Sequence, residues 1–284
     1  MQFKTRNVHC ISPSGLHRMA YTEWGSRDNP RVLVCVHGLT RNGRDFDALA
    51  EALSGHYRVI CPDVVGRGVS GRLRDPAGYG IPQYVADMVT LIARLEVESV
   101  DWVGTSMGGL IGMALAAQPG TPIRKLVLND VGPLITVESL QRIASYVGTD
   151  PTWGNFDEAL AYVKLISAPF GALTEAQWLQ LTETSVAQRG DGRWGFRYDP
   201  AIATPFKAAF VDKDIDLWPV YEAIACPTLV IRGAESDLLT RDTWQAMGSR
   251  GPRGKLAEIA GVGHAPMFQS ADQIDIVRDF LLAA

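Results

Sequence analysis

The chain has 284 residues, 46% of them hydrophobic, with a formal net charge of −4 and a sequence pI near 5.8. A chain of this size buries a large core, as one long domain or as a domain with a sizeable insertion, which excludes a short binding peptide or a disordered tail. No window concentrates Lys and Arg as a phosphate-tracking surface requires, so nucleic acid is not an expected partner.

The opening residues, Met1-Gln2-Phe3-Lys4-Thr5-Arg6, lack the apolar centre of a signal peptide. No apolar run reaches the roughly 18 residues that span a bilayer, and a cytoplasmic protein is expected. A hairpin comes first, with strands near 3–11 and 18–23 turned at Ser12-Pro13-Ser14-Gly15. Residues 31–36 and 57–61 are branched, apolar runs of the kind buried on both faces of a parallel sheet, joined by an amphipathic helix near 45–53. A helix near 82–95, a strand at 100–103, a helix at 107–117 and a strand at 123–128 come next. From about 132 to 216 no strand of that quality appears, whereas 140–147, 156–166 and 175–186 carry apolar residues at helical spacing. This stretch reads as a helical cap, 132–216, inserted into a core of 1–131 and 217–284. It holds Trp153, Trp178 and Trp194, and its apolar faces are expected to cover the mouth above the strand ends. Strands resume at 228–231 and 255–259, and a last helix spans 272–282. The alternation predicts an α/β fold, a mostly parallel sheet flanked by helices. Cys10, Cys35, Cys61 and Cys226 sit singly in or beside strands, without Cys-x-x-Cys spacing, so neither disulfides nor a zinc site is expected.

Gly104-Thr105-Ser106-Met107-Gly108 joins the strand at 100–103 to the helix at 107–117, the pattern of a serine on a sharp strand-to-helix turn. Such a turn strains the serine backbone, so the residues two before and two after must be small; both are Gly. A serine hydroxyl needs a base to become a nucleophile, and the base needs an acid to fix its tautomer. On a strand–elbow–helix scaffold the partners occur in the order Ser, Asp or Glu, His. His9, His17, His37 and His56 precede Ser106, which leaves His264, in a loop just past the last strand. Asp237 is favoured as the acid, because the loop after 228–231 comes down beside that of the last strand. Asp130, at the end of the strand at 123–128, is the alternative; its plainer reading is a cap at the entry to the insertion. Glu235 is a third, weaker candidate. The backbone N–H groups of Met107 and of Leu39, in His37-Gly38-Leu39-Thr40, are expected to form an oxyanion hole, with His37 holding its loop by hydrogen bonds. Arg41 reads as a solvated helix-entry charge, with binding of a carboxylate as the alternative. Gly66-Arg67-Gly68-Val69-Ser70-Gly71 matches the glycine pattern of dinucleotide-binding loops, but residues 72–80 are loop sequence and not the helix that fingerprint must open. Asp63 is expected to pin this loop by local hydrogen bonds.

In this order the His37-Gly38 loop, the Asp63-to-Ser70 loop, the elbow, Asp237 and His264 resemble the α/β-hydrolase fold family over nearly the whole chain. The resemblance implies an eight-stranded, mainly parallel sheet with a helical lid between the sixth and seventh strands. Haloalkane dehalogenases and epoxide hydrolases of the family use an aspartate at the elbow, which Ser106 argues against. Proline iminopeptidases and ring-cleavage C–C hydrolases usually carry Gly-Gly-Pro-Gly and Gly-Pro-Gly-Ala-like runs after the histidine, whereas Gly38-Leu39-Thr40-Arg41-Asn42-Gly43 matches neither. Carboxylesterases and lipase-like enzymes, some active on polyesters, are closest in character. The resemblance therefore implies a serine esterase without metal or organic cofactor, acting through an acyl-enzyme on a small-molecule ester with an apolar acyl part, as a monomer or homodimer. A C–C hydrolase with the same three side chains, a triad-bearing small-molecule receptor, and a perhydrolase side activity are the alternatives.

Overall fold

Eight stretches rich in branched and aromatic residues pair into one sheet: β1 (Lys4–Ser12), β2 (Gly15–Trp24), β3 (Val32–Val36), β4 (Arg58–Pro62), β5 (Val100–Thr105), β6 (Ile123–Asn129), β7 (Thr228–Gly233) and β8 (Lys255–Ile259). The computed structural model describes residues 3–209 and 213–283; residues 1, 2 and 284, and 210–212 of the expected cap, lie outside the described residues. The strands lie in the order β1-β2-β4-β3-β5-β6-β7-β8, with β2 alone running against the others. The strands β3, β4 and β7 are buried along their whole length, as parallel strands covered on both faces must be.

Helices α1 (Asp47–Leu53), α2 (Ile81–Leu95) and α3 (Met107–Ala116) connect the first strands. Between β6 and β7 come α4 (Val137–Tyr146), α5 (Phe156–Ile166), α6 (Glu175–Ser185), α7 (Ala203–Ala209) and α8 (Trp218–Glu222), and then α9 (Arg241–Met247) and α10 (Ala271–Leu282) come after β7 and β8. One apolar layer packs α2 and α3 against the sheet through Met88, Leu91, Trp102 and Ile111; the other seats α1 and α10 through Leu49, Leu53, Val277 and Leu281.

The chain leaves the sheet after β6 and adds no strand to it until β7. Leu134–Ile135 pairs antiparallel with Ile215–Asp216, so this insertion leaves and returns through a two-stranded neck. It also contains a small ribbon, Thr152–Trp153, Trp194–Phe196 and Val186–Gln188, that hydropathy spacing did not reveal. Strands of two or three residues are too short to display a period, and the same holds for α8 and α9, at under two helical turns. Trp153, Trp178 and Trp194 pack with Val163, Leu181 and Phe196 in a core of the insertion's own, closed by Met267 from the loop after β8. Their aromatic area thus holds the insertion together.

Parallel pairing aligns the carboxyl ends of the central strands. Val36 lies opposite Gly104, Thr105 opposite Asn129, Asn129 opposite Ile231, and Gly233 opposite Ile259. Loops from five strands therefore meet at one edge, where ligands of open parallel sheets bind.

Candidate active site

Ser106 stands between β5 and α3 with φ 52° and ψ −115°, a region costly for any residue with a Cβ. Packing enforces it. A Cβ on Gly104 would lie 2.2 Å from the carbonyl oxygen of Gly108, and one on Gly108 would lie 1.9 Å from that of Val36, so only glycine lets helix and strand approach this closely. The Ser106 N–H donates to the Asn129 carbonyl at 3.0 Å, and the Trp102 indole N–H to the Gly108 carbonyl at 3.1 Å.

His264 reaches back from the loop after β8. Its Nε2 lies 3.0 Å from Ser106 Oγ, so the alcohol and the imidazole expected from sequence do meet. The carboxylate on the other side of the ring is that of Asp130, whose Oδ2 is 2.7 Å from His264 Nδ1. Asp130 is fully buried and is held by two further donors, the Gly233 N–H on Oδ1 at 2.9 Å and the Ser236 hydroxyl on Oδ2 at 2.6 Å.

Asp237, the favoured acid, lies elsewhere. Its carboxylate pairs with Arg142 of α4 at 2.6 Å, and its carbonyl accepts from Ser139 Oγ. The reason is the turn after β7. The Ser236 N–H closes onto the Gly233 carbonyl, and Ser236 Oγ accepts from the N–H groups of Leu238 and Leu239 at 3.2 Å. That winding points Ser236 inward and leaves Glu235 and Asp237 exposed. Since β6 lies between β5 and β7, the carboxylate that ends β6 starts nearer the elbow.

Two positioning side chains had no motif to announce them. Asn129 Nδ2 donates to Thr105 Oγ1 at 2.9 Å and to the Pro266 carbonyl at 2.8 Å, tying the elbow to the histidine loop, and Ser236 holds the acid. A polar pair, Asn129-Asp130, directly after the apolar run Leu126-Val127-Leu128 was the available signal.

A Cβ on Gly38 would lie 3.7 Å from that of Ser106, so the Gly38–Leu39 peptide passes beside the Ser106 side chain. Met107 is the first residue of α3, where an N–H has no acceptor within the helix. His37 is fully buried, donates from Nδ1 to the Gly38 carbonyl at 2.7 Å and accepts at Nε2 from the Val64 N–H at 3.0 Å. Burial, aided by the charges of Arg67 and Arg41, pushes its pKa down to about 3 from 6.5. A folded-state value below the unfolded one stabilises fully above about pH 6.5, and the contribution is lost as pH falls from there toward 3. Urea titrations are expected to show stability falling by up to about 1.4 kcal/mol per pH unit in that window from this group alone, with a shallower slope in His37→Asn. Equal slopes in the two proteins would remove His37 from the account.

Arg41 is half-buried and already paired within the protein. Its guanidinium forks onto Asp45 at 2.6 and 2.8 Å and donates to Ser185 Oγ of α6 at 2.9 Å, bracing the Gly38 loop against the insertion. Asp63 pins its loop as expected, accepting from the N–H groups of Gly43 and Val69 at 2.8 Å. Gly66 and Gly68 take φ of +82° and +55°, and a Cβ at either would strike the Tyr79 ring or the Asp63 carboxylate, so the glycine pattern serves a folded loop.

Cys10, His17 and Asp87 bring potential ligand atoms within 4.8 Å of one another beneath the hairpin, a proximity the cysteine spacing did not suggest. The His17 Nε2–Asp87 Oδ2 hydrogen bond, at 2.9 Å, occupies two of the three, and burial raises the Cys10 thiol to about 12, which opposes the thiolate a metal needs. All four cysteines are free thiols. Among the described residues no helix is long and apolar enough to cross a membrane.

The model of the alpha/beta hydrolase family matches residues 33–275. The chain is 54% identical to a 3-hydroxybutyrate-oligomer hydrolase of Cupriavidus necator over 284 residues, covering 98% of this chain and 97% of that protein. It is 28% identical to a 2-hydroxy-6-oxo-2,4-heptadienoate hydrolase of Pseudomonas putida, covering 90% of each. Among solved structures, a protein of Rickettsia typhi superposes with a TM-score of 0.91 at 34% identity, covering 99% of both chains.

Proposed function

Because the chain belongs to the alpha/beta hydrolase family, we propose that it is a serine esterase whose substrates are short oligomers of 3-hydroxybutyrate. The observation that carries the chemistry is the continuous chain from Ser106 Oγ through the His264 ring to the Asp130 carboxylate, with steps of 3.0 and 2.7 Å. The substrate class rests on the 54% identity across nearly the full length of the Cupriavidus enzyme.

In this reading Ser106 Oγ attacks the ester carbonyl while its proton moves to His264 Nε2. The carbonyl electron pair moves onto oxygen, which the N–H groups of Leu39 and Met107 hold. Asp130 keeps the Nδ1 proton in place and faces the imidazolium, in the role the sequence favoured for Asp237. Collapse of the adduct expels the alcohol end of the next hydroxybutyrate unit, which takes the proton from His264. Water, deprotonated by the same ring, then releases the acid and restores the serine. No step calls on a metal or an organic cofactor. Residues 132–216 act as the lid over this edge; the bonds of Arg41 to Ser185, of the Gly263 N–H to Pro169 and of Ser139 to Asp237 tie it to the core.

Dimers and trimers of 3-hydroxybutyrate are expected to be hydrolysed with kcat/KM at least about tenfold above simple p-nitrophenyl esters of the same acyl length, read by release of monomer. A dienoate C–C substrate turned over in preference to both would replace the ester reading by that of the Pseudomonas relative.

A further inference from the structure

Arg67 belongs to none of the three groups that carry the acyl transfer, yet it touches both halves of the oxyanion hole. Its Nε donates to the Leu39 carbonyl at 2.9 Å and its Nη2 reaches Met107 Sδ at 3.5 Å, while Nη1 donates to the Val65 carbonyl at 2.7 Å and to the Tyr84 hydroxyl at 2.9 Å. The residue is 1% exposed, and no Asp or Glu pairs with it among the described residues. Its guanidinium lies 4.9 Å from the Tyr84 ring centre and 5.8 Å from that of Tyr79.

We propose that Arg67 is a positioning residue for the oxyanion hole, fixing the Leu39 segment and Met107 from behind and setting a buried positive charge where the substrate oxygen becomes anionic. Burying a cation without a carboxylate is costly even after relaxation. Neutral carbonyls, a phenol and aromatic faces offset part of that. The remainder is offset when negative charge appears nearby, and of the reaction's anions, which include the carboxylate ends of substrate and product, the tetrahedral oxyanion is the one that forms against the Leu39 and Met107 N–H groups during bond making. Ground-state substrate gains little from it; the transition state gains more, which is the condition for raising kcat.

The loop geometry serves the same end. Positive φ at Gly66 and Gly68 turns the chain on either side of Arg67. The Gly68 N–H donates to the Arg197 carbonyl and the Asp199 N–H to the Gly66 carbonyl, each at 2.7 Å, so the insertion clasps this loop from outside. The segment that resembles a nucleotide fingerprint is thus the mount of a guanidinium.

The inference rests on the proposed acyl transfer at Ser106, and the test separates the two. The probe is 1,1,1-trifluorooctan-2-one. Ser106 Oγ adds to its carbonyl carbon, the Oγ proton passes to His264, and the carbonyl pair remains on oxygen as an anion. Octan-2-one, which forms no such adduct, is the control. Arg67→Met is expected to lower kcat roughly 30- to 100-fold with KM within about threefold, and to weaken the trifluoroketone by a similar factor while octan-2-one binds as before. Arg67→Lys keeps the charge and loses the fork, so it recovers part of both. A folded Arg67→Met with kcat within about threefold of wild type, or with both ketones weakened equally, overturns the proposal. If Arg67→Met does not fold, Arg67→Lys decides: a parallel fall in kcat and in trifluoroketone affinity sustains the proposal, and unchanged values overturn it. Should wild type bind the trifluoroketone no better than octan-2-one, or Ser106→Ala keep full turnover, the acyl-transfer reading itself fails and Arg67 loses its role with it.

Discussion

Asp130→Asn is expected to reduce kcat by about 10⁴-fold, whereas Asp237→Asn stays within about threefold of wild type. An amide at position 130 still reaches His264 Nδ1, but its N–H can donate there, favouring the tautomer with the proton on Nε2. That tautomer cannot accept from Ser106. The expected loss corresponds to about 5.4 kcal/mol of transition-state stabilisation at 1.36 kcal/mol per decade. Asp237 stands in contrast because its side chain is 56% exposed and its partner Arg142 is 40% exposed. An ion pair so placed contributes about 0–1 kcal/mol to stability and nothing to the reacting atoms. Steady-state kinetics of the two variants on a p-nitrophenyl ester, with circular dichroism to verify folding, decide between the carboxylates. A damaged Asp237→Asn beside an intact Asp130→Asn would return the acid to the loop after β7.

Ser106→Ala carries the largest loss, on the order of 10⁶-fold in kcat, because removing the nucleophile of such a triad costs about as much as removing all of it. Stability should hardly change. Alanine adopts the strained elbow no less readily than serine, and what disappears is one partly buried hydrogen bond to His264, about 1 kcal/mol. A fluorophosphonate should label wild type at Ser106 and leave the variant unlabelled, as peptide mapping would read. Labelling at another serine, or ester turnover near the wild-type rate in the variant, would dismiss this nucleophile.

The strands and the long helices were legible because each displays a full period: five apolar residues at Val32–Val36, or fifteen residues at Ile81–Leu95 with one apolar stripe. The ribbon at Thr152–Trp153 and Trp194–Phe196 and the short helices α8 and α9 show less than one informative repeat, and tertiary pairing forms them. The histidine was found by elimination, since the other four precede the elbow. Arg67 stood in the open within a glycine pattern that matches a nucleotide fingerprint but lacks its helix, which left it without a role legible in the sequence.

The sequence by itself determined the α/β class, the serine at the elbow and the histidine that lies against it, because these depend on residue order and on short-range sterics: glycines two residues either side of Ser106, and a strand before and a helix after it. Only the tertiary structure decided which carboxylate faces the imidazole and which cation contacts the Leu39 carbonyl. Both are matters of direction at a loop, where a turn of four residues sends Ser236 inward and Asp237 outward, and where sheet order sets Asp130 beside the elbow. Spacing along a chain carries no information about such a turn, since one added or lost residue reverses which side chain enters the site.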